Sequence, residues 1–93
     1  MDKKEAHQIL AKHLQDFRGK SYADLKRLLT EQDTIEVTAP SGNSYQIEIQ
    51  AVWDDRPDGN LRIIGNIDDG GLRALVPLSD DFIISPDGRF VGE

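Results

Sequence analysis

A chain of 93 residues, 38% of them hydrophobic, has the length and composition of one small globular domain. It contains no cysteine, which excludes a disulfide framework, a thiolate zinc site and a cysteine nucleophile. The amino terminus lacks the apolar segment of a signal peptide and no apolar run reaches the length of a membrane span, so we expect a cytoplasmic protein without membrane contact.

The net charge of −6 is unevenly distributed along the chain. Residues 1–30 contain seven Lys or Arg against four acids, whereas residues 31–93 contain four Arg, no Lys and thirteen acids. Such charges often serve solubility alone, but an acidic half also favours encounter with a basic protein partner. Nucleic acid is not expected as a partner, because phosphate binding requires a clustered basic surface. We expect a monomer or a weak dimer.

Two helices are predicted at the start of the chain, over residues 3–18 and 21–31. Asp2 and Ser21 are suitable N-cap residues, and Gly19 is a suitable end for the first helix. Each segment places its apolar residues on one face at helical spacing: Ala6, Ile9, Leu10, His13, Leu14 and Phe17 in the first, and Leu25, Leu28 and Leu29 in the second.

The rest of the chain alternates between apolar and polar residues with the period of β-strands. The most prominent pattern lies at residues 61–76, where alternation on both sides of Asp68–Gly71 predicts a central hairpin with a tight turn. Phe90 and Val91 are expected to add a last short strand. The complete set of predicted strands is 34–39, 44–53, 61–67, 72–76 and a short one near 82–85.

Together these elements predict a single α+β domain over residues 1–93. A helical pair at 2–31 is expected to pack on one face of an antiparallel meander of four to five strands at 34–91. The predicted common core consists of Ile9, Leu10, Leu14, Phe17, Leu25, Leu28, Leu29, Ile47, Ile49 and Ile63.

The second half of the chain also carries a recognisable ending. Residues 44–93 contain in order Pro-Leu, Phe-Ile, Pro-Asp-Gly and Phe-Val-Gly-Glu. This ending resembles that of small bacterial α+β domains of uncharacterised function. The resemblance implies a compact bacterial domain of that class, and it implies no activity and no site residues.

Residues for catalysis or metal binding do not form a known pattern. The two histidines, His7 and His13, are six positions apart on the first helix and therefore do not share the face that an i, i+4 metal pair requires. His13 falls within the apolar stripe, which favours a structural role. A hydrolase based on Asp and His is the least favoured function, and no cofactor or tightly bound transition metal is expected.

Two loops resemble ligand-binding motifs only in part. Gly19-Lys20-Ser21 matches the end of a phosphate-binding loop, but Leu14 stands where the motif requires its first glycine. The acidic loop of residues 54–60 can be aligned with a calcium loop through Gly59. That alignment puts Arg56 at a ligand position and Gly65 in place of the bidentate glutamate. Both segments are therefore interpreted as ordinary loops.

The polar face of the sheet is the remaining candidate for binding. Glu48 alternates with apolar neighbours, and Arg62 and Arg73 have the same phase on the following predicted strands. Asp54 and Asp55 follow Trp53 at a strand end, an arrangement typical of interaction hot spots with a charged rim. These residues form the candidate binding set: Trp53, Asp54, Asp55, Glu48, Arg62 and Arg73. A solvated outer surface, or a Trp53 buried in the core, would account for the same pattern.

The sequence therefore favours a non-catalytic acidic interaction module of a bacterial cytoplasm, of the kind that inhibitors and immunity-type proteins represent. The alternative is a small-molecule-binding domain that uses the polar sheet face.

Overall fold

The computed structural model describes residues 2–70 and 78–93 and shows an α+β protein. A helical N-terminal region is followed by a four-stranded antiparallel sheet. The elements are helix α1 (Lys3–Arg18), helix α2 (Tyr22–Lys26), a 3₁₀ turn (Arg27–Leu29) and strands β1 (Asp33–Thr38), β2 (Ser44–Trp53), β3 (Leu61–Asp68) and β4 (Leu78–Ile84).

Side-chain caps define where the helices begin. The Asp2 carboxylate accepts a hydrogen bond from the backbone N–H of Glu5 (3.0 Å), and the Ser21 hydroxyl accepts one from that of Asp24 (3.1 Å). The second helix is shorter than predicted, because its last residues tighten into the 3₁₀ turn before β1. Leu28 is nevertheless buried, as its place in the apolar stripe predicted.

The sheet has the strand order β1-β2-β3-β4, so each strand pairs with its neighbour along the chain. The prediction gave β3 the wrong partner in the central hairpin. β3 pairs with β4, with Leu61 opposite Ile84 at one end and Ile67 opposite Leu78 at the other. The predicted strand at 72–76 lies outside the described residues. The stretch that pairs with β3 contains three consecutive polar residues, Ser79, Asp80 and Asp81, which hide the period-two pattern of a strand before Phe82.

The final strand also differs from the prediction. β4 begins at Leu78 rather than near residue 82, and Phe90 forms only an isolated bridge with Ile84. The described residues therefore contain four strands rather than four to five. Ser85–Gly88 form the turn that the Pro-Asp-Gly sequence predicted, with the N–H of Gly88 donating to Ser85 O at 2.9 Å.

The buried residues of helices and strands form one hydrophobic core. Leu10, Ile47 and Ile63 are fully buried, while Ile9 and Leu29 of the predicted core are only partly buried against it. At the centre, an added Cβ on Gly65 of β3 would lie 2.8 Å from Leu10 Cδ1 and 3.1 Å from Leu14 Cδ2 of α1. The glycine therefore lets α1 approach the sheet closely.

No helix in residues 2–70 and 78–93 is long and apolar enough to cross a membrane.

Candidate functional site

The sheet has a polar face, which we call the outer face. Its side chains alternate along each strand with those of the buried core. The outer-face residues are Thr34, Glu36 and Thr38 of β1, Gln46, Glu48, Gln50 and Val52 of β2, Arg62, Ile64, Asn66 and Asp68 of β3, and Ser79, Asp81 and Ile83 of β4.

Three carboxylates lie around Gln46 on the outer face, and we call them the acidic cluster. Glu36 of β1 and Asp68 of β3 stand directly opposite Gln46 on its two sides, and Glu48 is the next outer-face residue along β2. Neither Glu36 nor Glu48 forms an ion pair or a side-chain hydrogen bond with another described residue. Among the described residues, the Asp68 carboxylate accepts a hydrogen bond from the N–H of Gly70 alone (2.8 Å). The cluster therefore carries negative charge that the described residues leave uncompensated.

One cation, Arg62, belongs to the described outer face. Its guanidinium donates to Asp81 through Nη1, and to Asp54 through Nη2 at 2.8 Å and Nε at 3.2 Å. The hydrogen bond to Asp81, followed by that to Asp54, raises the pKa of Arg62 above its ordinary value. Because two carboxylates already neutralise it, Arg62 offers no positive charge to the acidic cluster.

The structure thus places the residues predicted for binding in different parts of the protein. Glu48 and Arg62 share the outer face as predicted, but Glu48 stands opposite Asn66, and the partners of Arg62 are Asp54 and Asp81. Arg73 lies outside the described residues.

Trp53 lies on the other face of the sheet. It pairs with the buried Leu61 and packs, partly buried, against the core. The Lys26 ammonium lies 5.6 Å from the centre of its ring and forms an ion pair with Asp58 (2.8 Å). Trp53 therefore connects the β2–β3 loop to α2 and is separated from the acidic cluster by the sheet itself.

Asp55 holds the loop between β2 and β3 in shape. Its Oδ1 accepts hydrogen bonds from the backbone N–H groups of Arg56 and Asn60, both at 2.8 Å. These two bonds, that from Arg56 first, lower the pKa of the Asp55 carboxyl. The Tyr22 hydroxyl donates to the carbonyl of Gly59 (2.7 Å) and ties the same loop to α2. Asp55 Oδ1 is thus engaged within the loop.

Sequence reasoning missed a second carboxylate centre, at Glu5 of α1. Its Oε1 accepts hydrogen bonds from the hydroxyls of Tyr45 (2.7 Å) and Ser41 (2.9 Å) and from the amide of Asn43 (3.1 Å). The bond from Tyr45 contributes most to lowering the pKa of Glu5. No sequence signal identifies this site, because its donors lie 36 to 40 positions away in the β1–β2 hairpin.

The histidines are not arranged for catalysis with a carboxylate. His13 Nδ1 lies 2.9 Å from the carbonyl of Ile9 one turn earlier, and the ring is partly buried. His7 is exposed on the same helix. Within residues 2–70 and 78–93 no group of three or more His, Asp and Glu is placed to hold a metal ion.

A depression of about 430 Å³ adjoins the acidic cluster at the end of β1 and β2. It is open, its lining is polar and apolar in similar measure, and β1 and β2 supply most of its walls. The lining residues are Glu36, Val37, Thr38, Ser44, Tyr45, Gln46, Asp69 and Gly70.

The cations of α1 belong to a different surface. Lys3, Lys4 and Lys12 are exposed on the helix and form no ion pair with a described residue. Arg18 near the helix end pairs with Glu93 (2.7 Å) and lies between the rings of Phe82 and Phe90, 4.9 and 4.8 Å from their centres. The two charge signs of the sequence therefore appear as a basic helix surface and an acidic outer face.

No family model, curated protein or solved structure matches this chain.

Proposed function

We propose that this protein is a non-catalytic interaction module that binds a basic surface of another protein through the outer face of its sheet. The observation that carries the proposal is the acidic cluster: the exposed Glu36 and the partly exposed Glu48 lie on neighbouring strands, and neither forms an ion pair with a described residue. Neighbouring like charges repel, and a partner that brings Lys or Arg side chains relieves this repulsion.

The charge pattern of the whole molecule supports the same surface. Arg62 is saturated by Asp54 and Asp81, so the described outer face presents net negative charge. The opposite charge lies on α1, which by this proposal covers the core side of the sheet. A molecule polarised in this way orients an approaching basic partner toward the outer face and speeds its capture at low salt.

Matched charge variants test the location of the interface. Glu36→Lys/Glu48→Lys changes the net charge by +4, and Asp16→Lys/Glu31→Lys changes it equally at exposed positions away from the outer face. Wild type and both variants are used to capture partners from a bacterial cytoplasmic lysate, the setting that the proposal assumes. Proteins lost by the first variant and retained by the second are the expected result. Equal recovery by all three proteins contradicts the proposal.

The alternative is a small-molecule-binding domain, and the depression of about 430 Å³ favours it, since its volume lies in the range of ligand sites. The depression is open to solvent and would enclose little of a small ligand, which is why the protein partner is preferred. A thermal-shift panel of nucleotides and metabolites separates the two functions. A ligand that raises the melting temperature of wild type but not of Gln46→Ala would favour the alternative.

A hydrolytic function is not proposed, because neither histidine contacts a carboxylate among the described residues.

A further inference from the structure

Strand β1 forms an edge of the sheet, with β2 on one side and no described strand on the other. The hairpin bond from Ala39 N–H to Asn43 O (2.8 Å) fixes which residues of β1 bond to β2. In an antiparallel pair these residues alternate, so Val37 and Ile35 bond to β2. The backbone N–H and C=O groups of Thr34, Glu36 and Thr38 consequently point away from the sheet.

This edge has only part of the usual protection against strand addition. Natural edge strands carry charged side chains, Pro or a bulge, and β1 has no Lys, Pro or bulge within Asp33–Thr38, its two charges being Asp33 and Glu36. Asp33 is held by Arg27 through two hydrogen bonds (3.0 and 2.9 Å), which leaves Glu36 as the one free charge of the strand. The alternate side chains Ile35 and Val37 are half-buried and extend the core to the edge.

The other edge, β4, is less open. The N–H of Val91 donates to the outward carbonyl of Ile83 (2.9 Å), and Asp81 is engaged by Arg62. A second copy of the chain is a poor occupant of β1, because antiparallel pairing centred on Glu36 would place the glutamates of the two copies opposite each other. Both copies also carry a net charge of −6.

We infer that β1 accepts an extended segment of a basic protein as an added antiparallel strand, with Lys or Arg opposite Glu36 and apolar residues beside Ile35 and Val37. This inference rests on the proposed function and specifies how the partner binds. Residues on one face of a strand direct their backbone groups to the same edge. The peptide residue facing Glu36 therefore bonds to its backbone and brings its charge to the acidic cluster. Main-chain bonds supply affinity, and the alternating side chains supply selectivity.

The probe is a capped, fluorescently labelled heptapeptide of alternating Val and Lys, measured by anisotropy. Two N-methylated versions keep its charge. Methylation of the lysine nitrogens removes the N–H groups that would bond to β1, and we expect at least about tenfold weaker binding. Methylation of the valine nitrogens affects N–H groups on the far side and should leave affinity within about twofold, no more than the smallest loss expected for one hydrogen bond. Equal affinity of the two methylated peptides overturns strand addition.

A protein variant tests the same contact from the other side. Thr34→Pro removes an outward N–H without breaking a bond to β2, and Thr34→Ala is its control. We expect about 2- to 12-fold weaker peptide binding by Thr34→Pro relative to Thr34→Ala. Amide hydrogen exchange at Thr34, Glu36 and Thr38 should slow on peptide binding. Unchanged exchange at these three residues in the saturated complex contradicts the inference.

The result for Glu36→Lys/Glu48→Lys separates the two proposals. If this variant abolishes binding while both methylated peptides bind wild type equally, recognition by the acidic cluster stands and strand addition is refuted. If the variant binds the peptide as tightly as wild type does, the proposed binding surface itself is refuted.

Discussion

Gly65 provides a sharp test of the contact between α1 and the sheet. A methyl group at this position would lie 2.8 Å from Leu10 Cδ1, 3.1 Å from Leu14 Cδ2 and 3.2 Å from Ile49 Cδ1. Carbon atoms in contact prefer about 3.5–4.0 Å, so Gly65→Ala requires Leu10 to move by about 1 Å. Leu10 is fully buried, so its movement must be accommodated by other core side chains.

The magnitude follows from two opposing effects. Overpacking a core costs about 1–3 kcal/mol, whereas replacing a strand glycine with alanine recovers about 0.5–1 kcal/mol of backbone entropy. We therefore expect Gly65→Ala to lower the free energy of unfolding by about 0–2.5 kcal/mol. In a Leu10→Ala background the closest contact disappears and the contacts with Leu14 and Ile49 remain, so the same change should cost less than in wild type and at most stabilise by about 1 kcal/mol.

A double-mutant cycle measures this difference by urea unfolding, with the fluorescence of the single tryptophan and circular dichroism as independent probes. Gly88→Ala is the control. Its φ of +86° makes alanine unfavourable, but no atom lies within 4 Å of the added Cβ, so its cost should not depend on Leu10. An equal cost of Gly65→Ala in both backgrounds would refute the close approach of α1 to β3.

Three further predictions concern single residues. Leu14→Ala should lower the free energy of unfolding by about 2–5 kcal/mol, and a loss below about 1 kcal/mol would contradict its burial. The pKa of Glu5 lies below its ordinary value of 4.5 in the folded state. The ionised Glu5 carboxylate therefore stabilises the folded protein fully above pH 4.5, and this contribution disappears as the pH falls through the folded-state pKa. The stability difference between wild type and Glu5→Gln should therefore shrink on acidification below pH 4.5; a constant difference argues against the hydrogen bonds at Glu5. Arg62→Gln releases Asp54 and Asp81 from their ion pairs and should tighten binding of the Val-Lys peptide, whereas weaker binding would assign Arg62 itself to the interface.

Local patterns predicted much of the fold because local physics determines it. The caps at Asp2 and Ser21 and the bounds of β2 at Ser44–Trp53 follow from short-range rules, and the structure confirms them. The partner of β3 was predicted wrongly, because Ser79, Asp80 and Asp81 obscure the strand pattern of β4, while the Asp-Gly turn favoured the stretch nearer in sequence.

The sequence predicted which face of the sheet the candidate residues occupy, but it did not predict which side chains they contact. Alternation along β2 placed Glu48 on the outer face, and the sequential meander placed Arg62 there too. The partners of Arg62 depend on how far its side chain reaches across the strands. One partner, Asp81, lies in β4, whereas the predicted last strand began only near residue 82. Glu36 was absent from the predicted binding set. It joins the acidic cluster only through the register of β1 on β2.

The structure also changes which acidic residues are suitable for testing the interface. Asp54 is held by Arg62, and Asp55 accepts two backbone N–H groups, so replacing them would disturb the loop as well as the charge. Glu36 and Glu48 form no such bonds with the described residues, so their substitution leaves the β2–β3 loop intact and is the better test of the interface.

The central claim is that a basic partner binds the acidic cluster. The most direct test is the dissociation constant of a captured partner at two salt concentrations, for wild type and for two variants that each remove two negative charges. Glu36→Gln/Glu48→Gln should bind more weakly than wild type and with a smaller dependence on salt, whereas Asp16→Asn/Glu31→Gln should retain both the affinity and the salt dependence of wild type. Equal losses in the two variants would show that overall charge, rather than the outer face, attracts the partner, and would contradict this account.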